Sequence, residues 1–303
     1  MIAGVDIGGT KIALGLIDDN GAVVTRTEIP VQMERGPANA RDRILQILHQ
    51  QVLETGAGLT GIGIACTGPV DPITGELGDV NTLPGWQGWN PVRELADAFG
   101  VTAALENDAD AAALGEARWG AGQGKRSLIS ITVGTGIGAG IILNGDVYRG
   151  AKHAHPEIGH HIVEPDGPPC TCGASGCWES LASGPALEQW YAEQNPDDDR
   201  RTGKEICMLA RAGHASAQRA VERLAKYLGL GLSNVVSILM PEVIALSGSV
   251  MQSADLLLDR IHAIVRSKCR LVPVENCEIA VSSLGANAGL IGAAQVWHSR
   301  FDR

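Results

Sequence analysis

The sequence predicts an α/β protein built from a duplicated unit, two similar halves facing each other across a cleft. Two observations carry this. The order strand, glycine turn, strand, Asn-Gly turn, strand opens the chain and recurs about 125 residues later. The length, 303 residues, is also enough for two domains with substantial cores.

The elements follow in order. Ile2–Val5 reads as a strand, Ile7–Thr10 as a glycine turn and Lys11–Ile17 as a second strand. Asp19-Asn20-Gly21 is a hairpin signal leading into a strand over Ala22–Ile29. A helix follows, with Ile44, Leu45, Leu48 and Val52 on one face. Gly61–Cys66 is a short buried strand, and residues 67–90 form a long loop rich in Gly, Pro, Asp and Asn. Val101–Leu105 is a strand and Ala109–Arg118 a helix. The repeat then begins: strand Leu128–Val133, glycine turn 134–138, strand Ala139–Leu143, turn Asn144-Gly145. Helices are expected over 180–193, 204–212 and 215–239. A strand at Val243–Leu246, a helix to about 268, a strand at Glu278–Val281 and a helix at Ala286–His298 complete the chain. The expected domains are 1–119 plus 286–303, and 120–285, with Gly120, Gly122 and Gly124 at a hinge.

A formal charge of −10 argues against nucleic acid as a main partner. No apolar run approaches the ~18–20 residues of a membrane span, and the sequence is expected to carry no leader ahead of the first strand. Seven cysteines, three of them clustered, fit a reducing cytoplasm better than a disulfide framework. Cys66, Cys207, Cys269 and Cys277 read as small buried hydrophobes.

The cluster is the most specific chemical signal. His160, Cys170, Cys172 and Cys177 offer four soft or borderline ligands in one window, the set that a closed, structural zinc site needs. The two glycine turns suit a polyphosphate, because backbone N–H groups can approach anionic oxygens where no Cβ intervenes. Asp6 before the first turn can hold Mg²⁺ through water, and Thr10 and Lys11 can reach phosphates. Glu106-Asn107-Asp108 ends a strand and opens a helix. Asn107 or Asp108 is an N-cap by local sequence. The sharper reading makes the carboxylate a general base toward a substrate hydroxyl, with Asn107 bonding a polyol. Glu157 and His160 lie one turn apart and Glu179 two residues past Cys177. A zinc-bound imidazole can present its second nitrogen to a sugar hydroxyl. Trp86 and Trp89 can stack on a sugar or pack in the core, the latter being the simpler reading. His153, His155 and His161 carry no assigned role.

Together these residues resemble the ROK family (repressors, uncharacterised open reading frames and sugar kinases) of the actin-like superfamily, over essentially the whole chain. Asp6-Ile7-Gly8-Gly9-Thr10-Lys11 is similar to its first phosphate motif. Gly134-Thr135-Gly136-Ile137-Gly138 is similar to the second, and Ser247-Gly248-Ser249 to the adenosine loop. The resemblance implies an actin-like (ribonuclease H-like) two-domain sugar kinase fold. It implies Asp108 as the base, and a sugar shell of Gly68, Asn81, Asn107, Glu157, His160 and Glu179. ATP would meet Asp6, Gly8, Gly9, Thr10, Lys11, Gly134, Thr135, Gly136, Gly138 and Gly248, with Mg²⁺ alongside and structural Zn²⁺ in the cysteine loop. The implied activity is ATP-dependent phosphorylation of a hexose, glucose at its 6-hydroxyl first, by a homodimer. N-acetylmannosamine or N-acetylglucosamine is the alternative substrate, since Asp166-Gly167-Pro168 is also similar to N-acetylmannosamine kinases. A sugar-responsive repressor is disfavoured, because the first strand begins at residue 2 where a helix-turn-helix would be expected. A binding-only regulator would be expected to lack the Asp or the phosphate turns, and both are present. Asp110 stands where the family usually has Asn, Ala139 and Ser249 where it has Gly, and Thr67 where it has Pro.

Overall fold

The computed structural model describes Met1–Asp302. In chain order the strands and helices of the first third are β1 (Ile2–Ile7), β2 (Lys11–Ile17), β3 (Thr27–Pro30), α1 (Gly36–Thr55), β4 (Gly61–Cys66), the short ribbon β5 (Val70–Asp71) and β6 (Glu76–Leu77), α2 (Pro91–Phe99), β7 (Thr102–Asn107) and α3 (Asp108–Trp119). Then come β8 (Leu128–Val133), β9 (Ile137–Leu143), β10 (Asp146–Val147), α4 (Trp178–Ala182), α5 (Gly184–Gln194), α6 (Gly203–Arg211), α7 (Ala215–Leu239), β11 (Val243–Ser247), α8 (Ala254–Lys268), β12 (Glu278–Val281) and α9 (Ala288–Phe301).

The strands form two five-stranded sheets, ordered β3-β2-β1-β4-β7 and β10-β9-β8-β11-β12. Position by position the two orders match, which is the duplication expected from the repeated turns. In the first sheet β1–β2 and β2–β3 pair antiparallel, while β1–β4 and β4–β7 pair parallel. In the second, β9–β10 is antiparallel and β8–β11 and β11–β12 are parallel.

Two compact units result. One holds Met1–Arg126, Gly140–Pro156 and the stretch from Ser283 onward; the other holds Ser127–Ala139 and Glu157–Ser282. The stretch Gly140–Pro156, expected from sequence within 120–285, groups by its contacts with the N-terminal residues.

In the first unit, one sheet face buries Val5, Ile7, Leu14, Ile62 and Ile64 against Ile44 and Leu48 of α1. Each such fully buried aliphatic contributes about 1.5–3 kcal/mol. Trp86 and Trp89 join this core, edge to face at 5.3 Å. They are packing residues, not a stacking platform, and each indole N–H is satisfied, on Met33 O and on Glu94. The opposite face packs Ile2, Ala13 and Ile17 against Leu290, Ala294 and Trp297 of α9. Glycine in β4 makes that approach possible: a Cβ on Gly63 would lie 1.7 Å from Ala293 O.

In the second unit α7 packs against α8 and α6. Its Gly231 lies flush on the Trp178 indole, whose N–H bonds Tyr227 O at 2.9 Å. This contact seats the cysteine loop's downstream end on the longest helix.

Two local expectations change. The strand expected over Ala22–Ile29 narrows to Thr27–Pro30, because side chains replace part of the ladder. Asp18 accepts the N–H groups of Asn20 and Ala22, and Thr25 Oγ1 accepts that of Leu16. The helix expected over 180–193 is broken at Ser183, which is extended and caps α5 through its hydroxyl, with Pro185 in the first turn.

Candidate active site

The first unit gathers its chemistry at the carboxyl ends of three neighbouring strands. The register sets Ile7, Cys66 and Asn107 side by side at the ends of β1, β4 and β7. Ligands of open α/β sheets bind outside such ends. Asn107 is the N-cap of α3: its Oδ1 accepts the N–H groups of Ala109 at 2.9 Å and Asp110 at 3.3 Å. Asp108 is therefore the first helical residue rather than the cap, and its Oδ1 also lies 2.9 Å from Ala109 N. Asn107 Nδ2 reaches Gly68 O at 3.4 Å. Gly68 has φ +80, and a Cβ there would strike Val80 at 2.5 Å. The loop carrying Asn81 thus lies against the Gly68–Asn107 pair, with Asn81 itself exposed.

Burial, with the Asp108 carboxylate second, pushes Asp6 up to about 7. The same two acids and a still larger burial effect push the Cys66 thiol well above its usual range. The two acids repel each other at the carboxyl ends of the strands, and a cation between them would ease that repulsion, a donor set compatible with a divalent metal. The first glycine turn is closed by Gly8 N–H to Lys11 O at 2.9 Å. Gly9 is needed for space, since a Cβ would meet Thr82 at 2.9 Å. Thr10 is exposed, and the Lys11 ammonium pairs with Glu28 at 2.7 Å rather than standing alone.

Two buried acids flank Asp108, and sequence reasoning gave neither a role. Glu106 is held by Arg149, from Nε at 2.9 Å and from Nη2. Burial raises its carboxyl, and Arg149 works against that rise. Asp110 accepts from His155 Nδ1 at 2.9 Å. The partners are 43 and 45 residues away, so no local pattern could have found them.

In the second unit the turn 134–138 is braced from several sides. Gly134 N–H bonds Gly136 O, and Gly184 N–H bonds Gly134 O at 2.8 Å. Ile137 N–H donates to Glu179 Oε2 at 2.9 Å. Thr135 is exposed and Gly138 half-buried. Gly248 has φ +95 and lies close under Val133. Nearby, Gly184, Glu188, Thr202, Lys204, Ser249 and Val250 contribute to a cavity of about 280 Å³.

His160, Cys170, Cys172 and Cys177 converge, their ligand atoms all within 4.8 Å of one another. Cys170 Sγ lies 3.5 Å from His160 Nδ1, and the sulfurs of Cys172 and Cys177 are 3.6 Å apart. Two thiolates on one tetrahedral zinc, each at about 2.3 Å, sit about 3.8 Å apart, so the spacing fits the metal. The chemistry fits too. Backbone N–H at Ala174 draws Cys172 down, whereas burial and the neighbouring sulfurs push Cys177 up to about 12. As ligands the sulfurs would be thiolates, and a bound cation would offset their charge. The loop is shaped by glycine: Gly176 has φ +72 and would drive a Cβ to 1.6 Å from Glu164 O. His160 closes a single 3₁₀ turn begun at Glu157, with Nδ1 toward the sulfurs and Nε2 left for another partner. Glu157 is exposed.

The sequence pattern of the ROK family matches residues 2–300. A glucokinase of Streptomyces coelicolor is 34% identical over 97% of this chain and 96% of its own. The xylose repressor of Bacillus subtilis is 28% identical over 97% of this chain and 76% of its own. Among solved structures, a ROK hexokinase of Thermus thermophilus superposes with TM-score 0.84 at 34% identity, over 100% of this chain and 99% of that one. A ROK family glucokinase of Streptomyces griseus, in complex with glucose and AMPPNP, gives TM-score 0.78 at 33% identity over 97% and 98%. The duplicated sheets are thus those of the actin-like, two-domain sugar kinase fold. By motif, sheet order and likeness over its full length, the chain belongs to the ROK family.

Proposed function

We propose that this chain is an ATP-dependent sugar kinase that transfers the γ-phosphoryl group to a hexose, at the 6-hydroxyl of glucose. The observation that carries the reading lies at the start of α3: Asn107 is the N-cap of the helix and Asp108 its first residue, so the acid at the strand end is not the cap. In the reaction the hydroxyl proton passes to the Asp108 carboxylate while the hydroxyl oxygen attacks the γ-phosphorus. The bond from that phosphorus to the bridging oxygen breaks, and ADP leaves. Such chemistry asks the protein chiefly for positioning and charge compensation.

Gly68, Asn81, Asn107, Glu157, Glu179 and His160 Nε2 would hold the sugar hydroxyls. The residues at Gly8–Lys11, Gly134–Gly138 and Gly248 would receive the polyphosphate, and the cavity beside Ser249 suits the adenosine. Mg²⁺, held near Asp6, would supply charge compensation for the phosphates. Zinc on His160, Cys170, Cys172 and Cys177 would be structural, since four protein ligands leave no open position. Closure of a cleft between domains 1–119 plus 286–303 and 120–285, homodimerisation and a cytoplasmic setting belong to the same reading. The absence of a disulfide framework among the seven cysteines is in keeping with the last. Among the described residues no helix is long and apolar enough to cross a membrane.

The test is ADP release against glucose, N-acetylglucosamine and N-acetylmannosamine. Glucose should lead in kcat/KM by at least about 10-fold, the scale on which one substituent is discriminated. An N-acetylhexosamine in front would assign the alternative substrate, and no release with any sugar would overturn the kinase.

A further inference from the structure

We infer that Arg149 and His155 are positioning residues for Asp108, strapping the segment between them onto the strand–helix junction that carries it. The inference rests on Asp108 being the base. Glu106 precedes Asp108 by two residues at the end of β7, and Asp110 follows it by two in the first turn of α3. Arg149 binds the first acid and His155 the second, so both ends of one seven-residue segment are fixed on either side of the base.

These are costly contacts. The side chains of Glu106 and Asp110 are 4% and 1% exposed, and Asp110 Oδ1 is buried without a hydrogen-bond partner. Desolvating a carboxylate in this way adds little to folding, and apolar residues of similar volume hold a junction as well or better. What the polar pairs add is direction: each hydrogen bond fixes one side of the junction to a defined atom.

The experiment uses the full-length, zinc-loaded protein and measures kcat with separate KM values for sugar and ATP. A displacement of about 1 Å at a reacting group costs up to about 100-fold. His155→Ala should therefore lower kcat about 10- to 100-fold and raise the sugar KM, with the ATP KM and zinc content unchanged. His155→Asn keeps an N–H at similar reach and should stay within about 3-fold of the parent, whereas the longer His155→Gln should fall with His155→Ala. The double variant His155→Ala/Asp110→Ala should be no worse than the single by more than about 2-fold, because one interaction is removed twice. Parental kcat in His155→Gln, or additive losses in the double variant, overturns the strap. Equal rises in both KM values, or loss of zinc, would make His155 a residue of the fold and also overturn it. Asp108→Asn, measured in parallel, separates the two readings. If it is inactive while His155→Gln is normal, only the strap fails. If it turns over normally, the base assignment itself has failed.

Discussion

The carboxylate of Glu179 accepts the backbone N–H of Ile137 at 2.9 Å, so the acid expected to face the sugar also closes the second glycine turn. Gly136 makes room for it: a Cβ there would lie 2.4 Å from Glu179 Oε2. One oxygen is committed to the turn and Oε1 is the one available to a hydroxyl.

That dual role changes what a substitution should do. From sequence alone, Glu179→Ala is expected to weaken the sugar only. With the turn's brace removed as well, the KM for both substrates should rise. The sugar should lose about 10- to 100-fold in kcat/KM, from a charged hydrogen bond worth about 1.5–3 kcal/mol, and ATP a smaller factor. Separate titrations of the two substrates check this, and an unchanged ATP KM would mean that the brace does not matter to nucleotide binding.

Zinc content should be one ion per chain. Cys172→Ser should lose the metal and destabilise the protein, raising the sugar KM through His160. Metal analysis alongside thermal unfolding measures it, and full occupancy in that variant would exclude the ligand set.

Asp108→Asn should leave a folded protein that binds sugar and ATP with kcat reduced at least about 100-fold. Asn107→Ala should cost about 0.5–2 kcal/mol of stability through the lost cap and also raise the sugar KM, since Asn107 would bond the sugar. Unfolding curves, turnover and the sugar KM measured on both variants check this.

Asp6 gives a pH signature in metal-free protein. Its folded value of about 7 lies above the ordinary 3.8, so its ionisation opposes folding. The stability associated with the protonated form is complete below about pH 4, falls as pH rises, and is gone above about pH 7. Asp6→Asn should thus match the parent near pH 4 and exceed it in Tm above pH 7. Mg²⁺ should narrow the gap by stabilising the parent's carboxylate. Tm values from pH 4 to 8 for both proteins are the measurement; a gap that does not grow with pH would contradict the assignment.

Much of this was legible because it is written locally. Gly8-Gly9 and Gly134–Gly138 sit between strands whose periodicity is plain, and three cysteines with one histidine fall within 18 residues. Asn144-Gly145 turned out as a hairpin with both residues at positive φ, as that dipeptide suggests. What stayed hidden depends on contacts between distant residues. Neither Glu106 nor Asp110 advertises a partner more than 40 residues away. Nor does anything in Lys11 announce that Glu28, on the adjacent strand, would hold its ammonium. The expectation for Ala22–Ile29 failed for a subtler reason. Asp18 and Thr25 are polar residues whose side chains compete with the ladder, and propensity does not weigh that competition.

The separation of the cap from the acid at Asn107 and Asp108 has an evolutionary consequence. With the cap on Asn107, loss of the proposed base at Asp108 would leave the helix, the glycine turns and the cysteine loop in place. A kinase that works as proposed would stand one step from a sugar receptor. In a family that holds both glucokinases and xylose repressors, such a short mutational path offers a physical route from one trade to the other.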